Sequence, residues 1–441
     1  MHKILITLLM LVTCQSFGQV QEFILNNGLK VLVKEDHRAP IAVSMIWYNI
    51  GSADEPGGIT GVSHAIEHMM FKGTKKFPAG VFSKTIAAHG GQENAFTNND
   101  YTAYFEKIDA SHLATCFELE ADRMKNLLLD ANEFAKEIQV IQEERRLRTD
   151  DNPQALAFER FLATAHLTAP YHHPVIGWMS DLKQMQVTDL QKWYSNYYAP
   201  NNATLVVVGD VNPEKVRALA NQYFGAIPKG IQVVRKPQQE PPTLGKKSIL
   251  IHAPAKLPML LMGYSVPSLN TAKIAWHPYA LEVIAGILDA GEGSRFAKNL
   301  IRGGHVATGA DVFYNLNSRF PTQFIIYGAP SQNNQIMDLQ KSILSEIDIL
   351  KNVLVSETEL HRVKNQIIAQ KTFEKDSIFG QAMQLGLLET VGIGWHAEED
   401  YVNAINSLTP AQIQQAAQLY LNDNNRTEAE LVPTAQNEVH P

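Results

Sequence analysis

The chain repeats itself, and this repetition limits what it can fold into more than any other feature. The segment Ala-Pro-Ile-Ala-Val at residues 39–43 is echoed by Leu-Pro-Met-Leu-Leu at 257–261, which lies 218 residues later. Val-Thr-Asp-Leu-Gln at 187–191 is echoed by Leu-Thr-Pro-Ala-Gln at 408–412, a separation of 221 residues. Similar separations near both ends of the repeat predict two tandem copies of one domain.

Each copy mixes two kinds of hydrophobic pattern. In the first copy, strand-like runs at 41–50, 92–97 and 102–108 alternate with helical patterns such as those at 111–128 and 131–149. We therefore predict an α+β fold made of two tandem homologous domains, each a mainly antiparallel sheet packed with helices.

The ends and the middle of the chain have compositions of their own. The first residues combine Lys3, an apolar run and a small-x-small site before Gln19, which predicts a signal peptide cleaved after Gly18 and a periplasmic or secreted protein. Lipidation at Cys14 is an alternative fate for this segment.

The middle of the chain carries four prolines without an apolar period, which is typical of a linker. The predicted segments are a signal peptide (1–18), a first domain (19–227), a linker (228–246), a second domain (247–434) and a tail (435–441).

Charge and cysteine content exclude several kinds of partner and cross-link. The chain has 38 basic and 45 acidic residues, a formal net charge of −7, which argues against nucleic acid and anionic membranes as partners. No later stretch is apolar enough to predict a membrane span. Cys116 is the single cysteine beyond the predicted signal peptide, so we expect a buried thiol and no internal disulfide.

The most specific motif is the run His64-Ala65-Ile66-Glu67-His68. On a helix the two imidazoles lie one turn apart on one face, and Glu67 lies beside them, which is the apparatus of an H-x-x-E-H zinc hydrolase. The alternative is a pair of helix histidines with ordinary hydrogen-bond partners. Ser63 or Thr60 is the predicted cap of this helix. The second copy has no such motif, so we expect one metal ion per chain.

A third protein ligand is expected for a catalytic zinc ion. On the predicted helix at 131–149, Glu137 and Glu144 lie seven residues apart on the face that also carries Ile141. An unpaired carboxylate on an apolar stripe is costly to bury, which favours Glu144 as the ligand and Glu137 as its supporting carboxylate. From the pattern alone, both could equally be solvated helix glutamates. The pair His172-His173 is interpreted as part of an exposed loop.

Longer stretches around these residues resemble a known family. Gly61-Val62-Ser63-His64-Ala65-Ile66-Glu67-His68, with Gly90-Gly91-Gln92-Glu93-Asn94-Ala95-Phe96-Thr97, is similar to the M16 metallopeptidases. The resemblance implies an exported zinc endopeptidase, with zinc held by His64, His68 and Glu144, and Glu67 as general base. It also implies that Asn94, Ala95, Phe96 and Thr97 bind an extended peptide or unfolded polypeptide as an added strand, and that Arg302 faces the substrate.

One position departs from the family pattern. Many members carry a tyrosine a few residues after the arginine that corresponds to Arg302, but this chain has Thr308 there, and Tyr314 is the nearest tyrosine. Three functions therefore remain open: an active zinc endopeptidase, a zinc subunit that is active only with a paralogous chain, and a non-catalytic scaffold of the same fold. In either catalytic case we expect a homodimer or a heterodimer.

Overall fold

The computed structural model describes residues 18–434 except 237 and 239, and its first sheet is built from the amino-terminal part of the chain. Within these residues the sheet has six strands in the spatial order β1-β2-β6-β3-β5-β4. Neighbours are antiparallel except for β2 and β6, which run parallel. The central strand β6 is apolar and buried along its whole length, as expected for a strand covered on both faces. The strands are β1 (Gln21–Ile24), β2 (Lys30–Glu35), β3 (Ile41–Tyr48), β4 (Gln92–Thr97), β5 (Thr102–Asp109) and β6 (Ala203–Gly209).

The second sheet repeats the arrangement of the first. Its five described strands follow the order β7-β11-β8-β10-β9, which matches β2-β6-β3-β5-β4 strand for strand. The parallel pair recurs as β7 and β11. The predicted duplication and the predicted α+β class are therefore confirmed, with β1 as an addition to the first copy. The strands are β7 (Lys247–Ala253), β8 (Met259–Val266), β9 (Ala307–Phe313), β10 (Thr322–Pro330) and β11 (Arg426–Pro433).

Fourteen α-helices cover the two sheets in the described part of the chain. Short π-helical segments follow α4, at Arg146–Asp150, and precede β9, at Phe296–Gly303. The helices are α1 (Val62–Met70), α2 (Val81–Ala88), α3 (Leu113–Asn126), α4 (Ala131–Arg145), α5 (Pro153–Ala165), α6 (Met179–Leu182), α7 (Val187–Tyr197), α8 (Pro213–Phe224), α9 (Trp276–Asp289), α10 (Ile336–Asn352), α11 (Glu357–Glu374), α12 (Ile378–Thr390), α13 (Ala397–Ser407) and α14 (Pro410–Tyr420). None of the described helices is both long and apolar enough to cross a membrane.

The two copies exchange one helix each. The helix α5 follows the first copy's α4 but packs on the second sheet, where Phe161 joins an apolar cluster with Leu261 and Ala429. Its counterpart α12 packs on the first sheet, where Leu385 joins a cluster with Met45. Each copy therefore buries the apolar face of the other copy's sheet, which makes the two cores interdependent.

Glycines lie where the exchanged helices approach the sheets most closely. A Cβ atom on Gly386 of α12 would lie 2.1 Å from ring atoms of Trp47 on β3. A Cβ atom on Gly263 of β8 would lie 2.3 Å from the ring of Phe161 on α5. Since real contacts of that length do not occur, the sequence needs glycine at both positions to let helix and sheet meet.

Buried charges join the two copies beside these apolar contacts. Both guanidinium nitrogens of Arg319 bind the carboxylate of Asp54, at 3.0 and 2.9 Å. The Arg319 Nε atom also lies 3.3 Å from Asp100, and the Tyr171 hydroxyl donates to that same carboxylate at 2.6 Å. A bidentate arginine pair fixes orientation as well as distance, so this cluster holds the two copies in one geometry.

The predicted linker has no helix or strand at its described positions, but it is fixed to the first copy. The Glu240 carboxylate accepts hydrogen bonds from the backbone amides of Leu167, Thr168 and Ala169. Arg235 donates to Asp54 at 2.9 Å. The predicted tail and, apart from Gly18, the predicted signal peptide lie outside the described residues.

Candidate active site

The motif helix α1 begins at a backbone turn that only glycine adopts easily. Gly61, with a φ of 89°, is the residue before the helix, and a Cβ atom there would lie 2.5 Å from the Ile176 carbonyl oxygen. The predicted caps, Ser63 and Thr60, are wrong: the buried Glu55 carboxylate accepts the Gly61 and Ser63 amides, at 2.6 and 2.8 Å. A carboxylate at this end of the helix also interacts favourably with the positive end of the helix dipole.

The two motif histidines project from one face of α1. Their ring centroids lie 4.6 Å apart, and their side chains are 12% and 18% exposed. Burial, together with the neighbouring His68, lowers the pKa of His64 to about 4. His64 is therefore neutral at physiological pH, as a metal ligand must be.

A carboxylate on α4 orients His68. Glu137 Oε1 lies 2.9 Å from His68 Nδ1, and its other oxygen lies 2.5 Å from the Lys72 ammonium. An ionised carboxylate accepts a hydrogen bond from the Nδ1–H group, which leaves the Nε2 lone pair facing away from Glu137. Burial opposes protonation of His68, but hydrogen bonds to Glu144 and Glu137 outweigh it and raise the pKa of His68.

Glu144 faces the same point from two turns further along α4. Its Oε2 atom lies 3.3 Å from His68 Nε2 and 3.8 Å from His64 Nε2. Among the described residues these three form a group whose ligand atoms all lie within 4.8 Å of one another. Tetrahedral zinc with bonds of about 2.0–2.2 Å sets its ligand atoms about 3.3–3.6 Å apart. Two imidazoles and a carboxylate at this spacing therefore fit a zinc ion.

The end of α4 is locked to its surroundings by Arg145. Its guanidinium binds both carboxylate oxygens of Glu159 on α5, at 2.8 and 3.0 Å, and donates to the Gly177 carbonyl at 2.8 Å. Arg148 pairs with Glu144 Oε1 at 2.9 Å. Sequence reasoning treated both arginines as neighbours of the candidate ligand, but the Arg145 partners Glu159 and Gly177 come from later segments that no local pattern connects to it.

Glu67 lies beside the three grouped residues and accepts a hydrogen bond from Thr97. The Thr97 hydroxyl donates to Glu67 Oε2 at 2.5 Å, so the strand β4 fixes one carboxylate oxygen. Burial raises the pKa of Glu67, against the lowering effects of the Thr97 hydroxyl and of His68. A carboxylate of raised pKa is a stronger base than one in water.

These residues line a cleft of about 700 Å³. One wall is β4, which contributes Asn94, Ala95, Phe96 and Thr97. Because β4 ends the first sheet and pairs with β5 alone among the described strands, its outer backbone edge borders the cleft.

The lining of the cleft also contains residues that sequence reasoning missed. Tyr171, His172 and His173 line it, so the interpretation of the His172-His173 pair as an exposed loop is wrong. Burial lowers the pKa of His173 to about 4. A proline flanks Tyr171-His172-His173 on either side, which is typical of a rigid turn. This pattern could have indicated a fixed position for the two histidines.

The candidate substrate-facing residues of the second copy lie elsewhere. Arg302 is exposed, pairs with Glu292 through both of its terminal nitrogens and does not line the cleft. The Thr308 hydroxyl donates to the Ala329 carbonyl at 3.2 Å. Tyr314 donates to the Pro267 carbonyl at 2.6 Å, away from the cleft. In this structure the cleft is formed by the first copy.

Two family models match the chain, one after the other, in the order of its two copies. The family model described as Insulinase (Peptidase family M16) matches residues 30–177, which include α1 and α4. The model described as Peptidase M16 inactive domain matches residues 184–367. The copy that holds the grouped histidines and glutamate thus corresponds to the first model.

Relatives cover most of the chain. Zinc protease PqqE of Helicobacter pylori is 32% identical over 367 residues, 82% of this chain and 81% of that protein. A crystal structure of a protease from Helicobacter pylori has a TM-score of 0.89 at 30% identity and covers 94% of this chain and 100% of that one. The periplasmic protease PqqL of Escherichia coli shares the fold, with a TM-score of 0.79 at 17% identity, over 94% of this chain and 48% of that one. The chain therefore belongs to the M16 peptidase family and carries its two domains in tandem.

Proposed function

We propose that this protein is a zinc-dependent endopeptidase that hydrolyses peptide bonds in peptides or unfolded polypeptides. The observation that carries the proposal is the convergence of His64, His68 and Glu144 on one point beside Glu67, in a cleft bordered by an unpaired strand edge. One zinc ion per chain would be held by these three side chains. When bound, zinc supplies a water molecule that ionises near neutral pH and a positive charge opposite the scissile carbonyl.

Glu67 is the proposed general base. Thr97 occupies its Oε2 atom, which leaves Oε1 to take a proton from the attacking water and later to hand it to the leaving amine. The raised pKa of Glu67 suits both transfers, because a base whose pKa lies nearer the working pH accepts and returns a proton more readily.

The proposed substrate-binding element is β4. Asn94, Ala95, Phe96 and Thr97 lie on an edge strand, and an extended peptide paired with that edge would pass Glu67. Pairing through the backbone selects an extended conformation more than a side-chain sequence, which fits peptides and unfolded chains as substrates.

Export is part of the proposal. The signal-peptide pattern of residues 1–18 supports it, as does the description of one structural relative as a periplasmic protease. A dimer, of this chain or with a paralogue, would enclose the cleft.

A metal and cleavage assay on the mature protein tests this function. We expect close to one zinc ion per chain by elemental analysis and cleavage of a quenched fluorogenic peptide. Glu67→Gln should keep the metal and lose cleavage, and Glu144→Gln should lose both. Glu143→Gln, an exposed neighbour on the same helix, should change neither. Cleavage by Glu67→Gln at the parent rate would refute the mechanism, and a metal-loaded parent that cleaves nothing would favour the scaffold function.

One observation favours a second candidate, a zinc subunit that needs a facing chain. Arg302 is paired with Glu292 and does not line the cleft, and the tyrosine expected near position 308 is replaced by threonine. A partner would then supply the missing groups. Specific activity that rises with protein concentration, in step with dimer formation by analytical ultracentrifugation, would support this function; constant activity of a monomer would refute it.

A further inference from the structure

The second copy has its own cavity, of about 380 Å³, at the position that corresponds to the cleft of the first. The helix α9 follows β8 as α1 follows β3, and β3 and β8 are 218 residues apart. The same separation carries His64 to Glu282 and His68 to Gly286, and both of these line the second cavity. The exchanged helices also take equivalent places, since α5 lines the cleft through Glu159 and α12 lines the cavity through Gln384.

The replacements remove a metal site and leave space. Where the first copy has His64, Glu67 and His68, the second has Glu282, Ala285 and Gly286. The small side chains of the last two take away the volume of a carboxylate and an imidazole. The acidic groups of the cavity are not clustered as metal ligands in the described residues, whereas the first-copy group is. The cavity thus retains a concave shape and has lost metal-binding chemistry.

Glu282 lines this cavity, and its carboxylate accepts a hydrogen bond from Tyr401 but has one oxygen without a partner. Glu282 Oε2 is enclosed and accepts no hydrogen bond from the residues that the structure describes. Nearby Lys371 has other partners: it donates to Gln384 at 2.6 Å and to Glu374 at 3.1 Å. A buried carboxylate oxygen without a partner is unfavourable, which means that a cationic donor placed here would gain a strong hydrogen bond.

The walls suit a cation with an apolar body. Tyr279, Phe313, Tyr314 and Tyr401 line the cavity together with aliphatic side chains. The Lys371 ammonium already lies 5.6 Å from the centroid of the Tyr401 ring, so this ring meets a cation in the structure as it stands. Aromatic faces attract cations, most strongly where water is excluded.

We propose that this cavity binds an organic cation, an ammonium or guanidinium group on an apolar stem, with Glu282 as its counter-ion. The group could come from a free amine or from a basic side chain of a peptide. The proposal does not depend on zinc or on peptidase activity.

Isothermal titration of the full mature chain with phenethylamine tests the proposal. We expect saturable 1:1 binding, at least tenfold weaker binding of the isosteric neutral 2-phenylethanol, and about 10- to 100-fold weaker binding of phenethylamine to Glu282→Gln. Glu214→Gln, an equal charge change on the exposed face of α8, should bind phenethylamine as the parent does. An N-acetylated arginine tripeptide amide represents the basic side chain of a peptide, and its citrulline analogue is the neutral control. Whichever of phenethylamine and the arginine peptide binds more tightly identifies the source of the cation, and binding of either one supports the site. Equal affinity for charged and neutral probes, or no saturable binding of any cation, would overturn it.

A measurement on the parent chain alone guards against a Glu282→Gln variant that does not fold. Burial raises the pKa of Glu282 to about 7, while hydrogen bonding by Tyr401 and the charge of Lys371 oppose the rise and Glu374 adds to it. Tyr279 and Tyr314 also face this carboxyl. Only the ionised form pairs with a cation, so phenethylamine should bind about tenfold more tightly at pH 8 than at pH 6. Affinity that is flat or falls over this range would refute the role of Glu282.

Discussion

The exchange of α5 and α12 predicts that the two copies stay together when the chain between them is cut. A recognition sequence for a site-specific protease, inserted at Leu244, would be accessible because that side chain is 97% exposed. After cleavage we expect both fragments to elute together by size-exclusion chromatography at micromolar concentration, since each fragment covers the apolar sheet face of the other.

The strength of this association can be tested with a single side chain. Leu385 is carried by α12 and fully buried in a cluster whose other members come largely from the first sheet. Leu385→Ala shortens a buried isobutyl side chain to a methyl group at a cost of about 3–5 kcal/mol, which would weaken fragment association by roughly 150- to 5,000-fold if the loss falls at the contact. The assay is a dilution series of the cut protein, with dissociation followed by light scattering.

The matched control is Leu350→Ala. Leu350 is equally buried, but its cluster consists of second-copy residues alone, so this substitution should lower the melting temperature and leave the association constant within a few-fold of the parent value. The interdependence of the two cores is wrong if the fragments of the unsubstituted protein separate at micromolar concentration after the linker is cleaved. It is also wrong if both leucine variants weaken association equally.

Three further predictions concern the site and the fold. Zinc binding at about pH 6 should release a proton from His68, because the raised pKa of this side chain keeps it largely protonated there, and zinc affinity should fall as the pH is lowered; titration calorimetry in buffers of different ionisation enthalpy measures this, and zero release would contradict it. Glu137→Gln should weaken zinc affinity by about 10- to 100-fold, whereas the exposed Glu133→Gln should not, as competition with a chelator would reveal. Gly386→Ala should lower the free energy of unfolding by about 1–3 kcal/mol, because its Cβ atom would clash with the buried tryptophan of β3. Gly309→Ala is the control, since its Cβ atom would lie in open space, and it should have a smaller effect in urea unfolding. Equal midpoints for the two glycine variants would show that the helix adjusts without cost.

Much of the arrangement followed from short-range rules. The spacing of His64 and His68 on one helix face, and of Glu137 and Glu144 on another, is fixed by helix geometry, and the structure brings both faces together. The duplication could be read from two pairs of similar segments because equivalent strands keep a constant separation along the chain. These features depend on neighbours in the sequence or on its internal repetition.

The remaining features depend on contacts between distant segments. Glu55 caps α1 through a loop that returns to the helix start, and no residue pattern distinguishes it from Ser63 or Thr60. The turn that carries His172 and His173 lines the cleft, and a distant contact holds it there, since the neighbouring Tyr171 hydroxyl donates to Asp100. The helix exchange itself has no local signal, since an apolar helix face is the same in sequence whichever sheet it covers.

The contact between Arg145 and Glu159 connects the proposed metal ligand Glu144 to the second copy. Glu144 precedes Arg145 on α4, Arg145 is held by α5, and α5 rests on the second sheet through Phe161 and Gly263. The position of one proposed metal ligand therefore depends on a sheet that contributes no residue to the proposed metal site. Substitutions where α5 meets the second sheet would change the geometry of the site in the first copy.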